Sequence, residues 1–159
     1  MMDDQQNLEA WLRMYEEQVR HARHHEVLRT QSTNLVVLIS AALLALYGSD
    51  STTLESWILG IFIAAVNLYG LLMSLKHYER SRLHVKVGSE YRAVISKNSP
   101  VGGENFNDVR GVAHEAHQSL FGTHKIRAYM LWSGLHPVLL VIGILMAVTV
   151  IANGVGPQA

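Results

Sequence analysis

Three long runs without a single Asp, Glu, Lys or Arg limit what this chain can fold into. As helices, the second run at residues 56–75 and the third at residues 128–153 are long enough to cross the roughly 30 Å hydrocarbon core of a bilayer. The first run, residues 34–49, is the shortest, and the uncharged residues 31–33 extend it. The sequence therefore predicts an all-α integral membrane protein with three transmembrane helices and long cytoplasmic helical extensions.

The distribution of apolar residues supports this fold class. Hydrophobic residues make up 49% of the 159 residues, and they collect in the three runs, whereas a soluble core would spread them at helical or strand spacing. A soluble bundle with very apolar hairpins is the alternative. The predicted layout is a cytoplasmic N-terminal helix at 1–33, a transmembrane hairpin at 34–75 with a tight turn at 50–55, a cytoplasmic helical segment at 76–127, a third span at 128–153 and an external tail at 154–159.

Basic residues predict the orientation, because Lys and Arg near the ends of spans are retained on the cytoplasmic side. Four of the 13 basic residues precede the first run and the other nine lie within residues 76–127, whereas the turn at 50–55 and the tail after Asn153 have none. The N-terminus is therefore expected in the cytoplasm and the C-terminus outside. The start of the chain, MMDDQQNLEAW, is acidic and polar, so no cleaved signal peptide is expected.

Two long helices are predicted outside the membrane. Residues 3–30 form the first, and its apolar heptad seam is expected to pack against another helix of the chain or against the same helix of a neighbouring subunit. That seam consists of Leu8, Leu12, Tyr15, Val19 and Ala22. The second helix continues from the second span to a stop at residues 98–100, with one apolar face made of Leu83, Val87, Tyr91 and Val94. A loop at 98–108 and a short amphipathic helix ending near Gly122 follow.

No catalytic or cofactor-binding motif is visible, and the chain has no cysteine, so neither enzyme activity nor a cofactor is predicted. Nine histidines include the group His21, His24 and His25 and the pair His114 and His117, both with one-turn helical spacing. Such groups without further ligands are more often solvated than metal-bound, so no metal site is predicted. A cluster of three histidines can still respond to pH near neutrality.

Polar residues inside the spans are the candidate functional residues. Ion-coupled transporters typically keep an Asp, Glu, Lys or Arg at depth, so the lack of all four in the spans disfavours a coupled transporter. Asn67, together with Ser74 and Ser40, is expected either to join helices by hydrogen bonds or to line a pore in an assembly. His136 and Pro137 are candidate gating residues, because Pro137 is expected to kink the third span, although a static kink is the alternative.

The helix that leaves the second span carries a local excess of positive charge. The residues concerned are Arg80, Arg82, Lys86 and Arg92. They are candidates for binding anionic lipid headgroups or, in a ring of subunits, a nucleotide or oligonucleotide signal.

The order of helix, hairpin and helix over residues 3–96 resembles the small prokaryotic membrane effectors of anti-phage defence operons. The resemblance rests on YEEQVRHARHHEVLRTQSTN before the hairpin and KHYERSRLHVKVGSEYRAVI after it. In this layout the chain is similar to the SLATT-type proteins and to the channel subunit of the Hailong system, with a third span added to the plain two-span SLATT pattern. The resemblance implies a protein that oligomerises in the bacterial inner membrane and permeabilises it when a nucleotide-type signal from a partner enzyme changes.

These expectations combine into one functional prediction and one alternative. The chain is expected to form a homo-oligomeric inner-membrane ion channel or membrane-permeabilising effector, gated by a cytoplasmic nucleotide or oligonucleotide signal. The alternative is a membrane scaffold that recruits a soluble partner through residues 76–127.

Overall fold

The computed structural model describes residues 2–48, 56–98, 111, 115 and 128–153, which are helical apart from the turn residues Gly48 and Asn153. The long helices are α1 (Met2–Tyr47), α2 (Ser56–Asn98) and α3 (Ala128–Ala152). Each contains a segment that is long and apolar enough to cross a membrane. Several predictions lie outside the described residues, namely the turn at 50–55, the loop and most of the short helix after Asn98, the pair His114 and His117, and the tail at 154–159.

Helix α1 joins the predicted N-terminal helix and the first apolar run into one helix of 46 residues. No Gly or Pro lies between Met2 and Tyr47, so nothing in the sequence interrupts the backbone hydrogen bonds. The helix ends before Gly48, whose N–H donates to the carbonyl of Leu44 at 3.1 Å. A glycine directly after the last helical residue is a common helix stop.

Helix α2 confirms the prediction that the second apolar run continues as one helix to Asn98. The side-chain amide of Asn98 donates to the carbonyl of Val94 at 2.9 Å. Helix α3 covers the third apolar run and contains Pro137. Because proline has no backbone N–H, the carbonyl of Ser133 lacks its usual partner within the helix.

The chain consists of two compact units. The helix-pair unit contains Met1–Glu26 and Glu79–Arg127, and the apolar unit contains Val27–Tyr78 and Ala128–Ala159. In the helix-pair unit, α1 and α2 run antiparallel. The ring centroids of Trp11 and Tyr91 are 5.8 Å apart near one end of this pair, and Ser81 donates to the carboxylate of Glu26 at 3.0 Å near the other.

The apolar faces predicted for the helix-pair unit coincide in part with the observed contacts, since Ala22 is buried and Tyr91 contacts Trp11. Leu12 and Leu83 belong to the same predicted faces, but they are 41% and 48% exposed. Gln18 and His84 lie in contact instead and share a hydrogen bond of 2.7 Å. Gly88 faces α1 here, and a Cβ at Gly88 would lie 3.6 Å from the Cβ of Gln18, which is ordinary van der Waals contact.

A polar cluster within the apolar unit

The apolar unit carries large apolar side chains on the outside and polar side chains on the inside. Leu38, Phe62 and Val148, one from each helix, are 68%, 56% and 54% exposed. The polar residues that the structure shows as buried in this unit are Arg29, Thr33, Ser40, Asn67, Ser74 and His136. A protein surface in water is rich in polar residues, whereas a bundle surrounded by lipid turns its apolar side chains outward and its polar ones inward.

Helix α1 contributes two hydroxyl groups to this interior. Thr33 and Ser40 are two turns apart and therefore lie on the same face of the helix. The hydroxyl of Ser40 donates to the carbonyl of Val36 at 2.8 Å, so its oxygen is left to accept a hydrogen bond from a neighbouring helix.

Asn67 on α2 connects all three helices and is fully buried. Its Nδ2 donates to Oγ of Ser40 at 2.7 Å and to the carbonyl of Ile63 at 2.9 Å. Its Oδ1 lies 3.4 Å from Nδ1 of His136, and Nε2 of His136 lies 3.4 Å from Oγ1 of Thr33. Thr33, Ser40, Asn67 and His136 thus form one hydrogen-bonded chain, which we call the polar cluster.

The partners of His136 define its tautomer. Oδ1 of Asn67 can only accept a hydrogen bond, so Nδ1 of the imidazole carries the proton and donates to it. Nε2 then accepts from the hydroxyl of Thr33, and a neutral ring satisfies both contacts. These two contacts are the longest in the polar cluster, so His136 is its most weakly held member.

Gly70 makes room for this imidazole. A Cβ at Gly70 would lie 2.7 Å from Cε1 and 2.9 Å from Nδ1 of His136, and 3.0 Å from Cγ1 of Val36. These distances are shorter than van der Waals contact, so any other residue would push the ring or α1 away. Gly70 was not predicted as a functional residue, although a glycine one turn from Asn67 inside an apolar run indicates a close contact with another helix.

Two further buried hydroxyl groups of the apolar unit do not join the polar cluster. Oγ of Ser74 and Oγ of Ser133 are buried and have no hydrogen-bond partner among the described residues. Ser74 was grouped with Asn67 and Ser40 by sequence. It is fully buried, but no hydrogen bond among the described residues joins it to them. Pro137 also leaves the carbonyl of Ser133 without the N–H that would normally donate to it. Both the hydroxyl and the carbonyl of Ser133 therefore lack a hydrogen bond within α3.

Helices α2 and α3 approach most closely at four small residues. A Cβ at Gly60 would lie 2.7 Å from the backbone nitrogen of Ala147, and a Cβ at Gly143 would lie 2.7 Å from the backbone nitrogen of Ala64. Gly60 with Ala64 and Gly143 with Ala147 each have the small-xxx-small spacing that lets helices meet backbone to backbone in membranes. The sequence analysis did not use this spacing, which was readable in both apolar runs.

Histidines of the helix-pair unit also come together, but not as the group that their spacing suggested. His84 of α2 lies between His21 and His25 of α1, at 5.1 Å and 5.5 Å between ring centroids. We call these three residues the histidine stack. His24 is exposed and contacts only the edge of the group, tilted by 55° against His25. Within the part of the chain that the structure describes, no three His, Cys, Asp or Glu side chains are arranged to hold a metal ion.

The candidate anion-binding residues are distributed along α2. Arg80, Arg82 and Lys86 are exposed and Arg92 is half-buried. Arg82 and Lys86 are one turn apart and share a face, whereas Arg80 and Arg82 are two residues apart and point in different directions. Within one chain these residues therefore form no single patch.

Arg29 behaves differently from the exposed basic residues. It is only 5% exposed, and its guanidinium lies 5.9 Å from the ring centroid of Tyr78. This is a cation–π distance, and such a contact is stronger when it is shielded from water. In the sequence, Arg29 is one of the four basic residues that precede the first apolar run, and no contact with Tyr78 was predicted for it.

Comparison with family models, curated proteins and solved structures found no match to this chain. The class of the protein therefore rests on its own features, which are an all-helical fold, three membrane-length helices and a buried polar cluster that joins them.

Proposed function

We propose that this protein is a multi-pass protein of the bacterial inner membrane that works as a homo-oligomer, as an ion channel or a membrane-permeabilising effector. Its N-terminus and residues 76–127 lie in the cytoplasm and its C-terminus lies outside. A nucleotide or oligonucleotide signal from a partner enzyme controls it, in anti-phage defence. Three membrane-length helices with outward apolar side chains support membrane insertion.

The polar cluster is the observation that carries the functional part of the proposal. Burying four polar side chains between apolar helices costs free energy unless they bond to one another, and small apolar residues could join the helices instead. Polar groups at depth in membrane helices mark pathways and gates. None of the three apolar runs contains Asp, Glu, Lys or Arg, and the one titratable member of the cluster, His136, has both of its contacts satisfied as a neutral ring, so we favour a passive path over a coupled transporter.

In the proposed mechanism the polar cluster is a latch. While its members bond to one another, they hold the three helices of one chain together and present no polar group to the surroundings. His136 has the longest contacts and precedes Pro137, so it leaves first when the helices are disturbed. Asn67, Ser40 and Thr33 then need new partners, and water or a neighbouring subunit supplies them. A hydrophilic path opens where apolar packing was continuous.

Gly70→Ala tests the latch without changing any polar group, because its Cβ collides with the imidazole of His136. We expect liposomes that contain this variant to lose a potassium gradient without any added ligand. A weakening of the latch by about 1.4 kcal/mol would raise the open fraction about tenfold over wild type. Gly134→Ala is the matched control, because no atom of the described residues lies within 4 Å of its Cβ position, and the flux should equal that of wild type.

Two results would contradict the proposal. The first is an absence of flux from wild type, from Gly70→Ala and from Asn67→Leu, in liposomes where incorporation has been verified. The second is a protein mass of 17.7 kDa by light scattering in detergent, which is the mass of a monomer.

A membrane scaffold is the second candidate, favoured by exposed apolar side chains within residues 76–127. Leu83 and Val85 are 48% and 51% exposed, and a soluble partner could cover them. Asn67→Leu distinguishes the two functions, because it should change the conductance of a channel but leave partner binding intact in a scaffold. Leu83→Asp should have the opposite pattern, measured as loss of the partner that co-purifies from native cells.

A further inference from the structure

The histidine stack lies in the helix-pair unit and has no part in the latch. The ring of His84 is nearly parallel to its two neighbours, with angles of 24° to His21 and 13° to His25. Nδ1 of His84 donates to Oε1 of Gln18 at 2.7 Å, which ties the central ring to α1. The stack therefore joins α1 to α2 through one hydrogen bond and two ring contacts.

The charges around His84 make this contact sensitive to protons. His21 and His25 face it from α1, and Arg80 lies one turn away on its own helix. The carboxylate of Glu17 lies 3.5 Å from His21, and none of the contacts that the structure describes for His84 is with a carboxylate. Within these described contacts, a proton on His84 would therefore lie beside the imidazoles of His21 and His25 and one turn from Arg80, whereas the nearby carboxylates contact His21 and Ser81 and not His84.

We infer that the histidine stack is a proton-operated clasp, which holds α1 against α2 while its imidazoles are neutral and releases them when the stack is protonated. Neutral rings stack favourably, whereas charged rings at these separations repel one another. The ligand of the clasp is the proton itself. The inference does not depend on channel activity, since it concerns only the pairing of two helices.

The direction of the response follows from the protonation of His84 in the two states. Burial lowers the pKa of His84 below its ordinary value of 6.5, and His21 and Arg80 lower it further. Once the helices separate, His84 returns to the ordinary value and binds a proton more readily. The stabilisation from the stack is therefore complete above about pH 6.5 and is lost as the pH falls through the lowered pKa of the packed state.

Spin labels on α1 and α2 test the clasp in the full chain, reconstituted in nanodiscs. The chain has no cysteine, so cysteines placed at the exposed positions Arg20 and Lys86 are the only labelling sites. We expect a single short distance by double electron–electron resonance at about pH 8, and a reversible longer component that becomes dominant by about pH 5. His84→Gln should remove this change, because a glutamine can still bond to Gln18 but cannot be protonated.

His24→Gln is the matched control, because His24 is a neighbouring histidine outside the stack, and its pH response should equal that of wild type. His25→Gln is the second test variant and should at least halve the longer component, so the inference stays testable if His84→Gln disturbs the pairing at every pH. Wild-type distances that are the same at both pH values would overturn the clasp. So would a response that survives in His84→Gln and His25→Gln, or one that disappears with a chelator, which would indicate a metal ion.

Discussion

Two glycines of the apolar unit lie at a much closer helix contact than a glycine of the helix-pair unit. In the apolar unit, Gly60 and Gly143 lie where the backbones of α2 and α3 almost touch, and a Cβ at either position would come within 2.8 Å of backbone atoms of the other helix. In the helix-pair unit, Gly88 lies opposite Gln18 with ordinary van der Waals space for a Cβ at 3.6 Å. Helices α2 and α3 of the apolar unit thus meet backbone to backbone, and the two helices of the helix-pair unit meet side chain to side chain.

The membrane topology proposed above would account for this difference. Apolar helices in lipid gain little from burying more apolar surface, so close packing of small residues and hydrogen bonds must hold them together. Helices in water can gain from burying larger side chains, and the contact between Trp11 and Tyr91 is of that kind.

The largest effect is expected from adding one methyl group at the α2–α3 contact. Gly143→Ala places a Cβ 2.7 Å from the backbone nitrogen of Ala64, and Gly60→Ala does the same to Ala147. Backbone atoms cannot rotate away, so we expect each variant to lower the free energy of unfolding by about 3 kcal/mol. The measurement is unfolding in mixed detergent micelles followed by circular dichroism. Equal stability of these variants and Gly134→Ala would show that the helices are not joined here.

A smaller effect is expected from replacing a hydroxyl group by a methyl group inside the polar cluster. Thr33→Val removes the contact to Nε2 of His136 and leaves that nitrogen buried without a donor, which we expect to cost about 1 kcal/mol. Thr149→Val is the matched control, because the hydroxyl of Thr149 is exposed and bonds to carbonyls of its own helix at 2.8 Å and 3.0 Å. The same unfolding experiment compares the two, and equal losses would contradict a cross-helix role for Thr33.

The smallest effect, and one of opposite sign, is expected in the helix-pair unit. Gly88→Ala adds a Cβ at ordinary contact distance from Gln18 and Tyr15 and removes a flexible residue from the middle of α2. We expect a gain of about 0.5 kcal/mol in the free energy of unfolding of this unit. Slower hydrogen exchange in α2 around residue 88 checks this gain. Faster exchange would contradict this prediction. It would mean that α1 and α2 are packed too tightly at Gly88 to admit a Cβ.

The candidate site was only partly readable from sequence. Asn67, Ser40 and His136 stand out because polar residues are rare in apolar runs, and these three do lie together. Thr33 was read only as part of an extension to the first run, and Gly70 was not singled out at all. Their importance depends on the imidazole of His136, which comes from a helix more than sixty residues away along the chain. The histidine stack was not predicted for the same reason, since spacing along α1 cannot show that His84 packs against both His21 and His25.

The sequence by itself determined the elements of this protein. Uncharged apolar runs, the absence of Gly and Pro from Met2 to Tyr47 and the stop after Asn98 are local properties, and helix formation depends on such local properties. Only the tertiary structure decided which face of each helix meets its neighbour. The rotation of a helix is set by contacts with residues remote in sequence, such as Gly88 with Gln18 and Gly70 with His136, and those contacts exist only after the helices have packed.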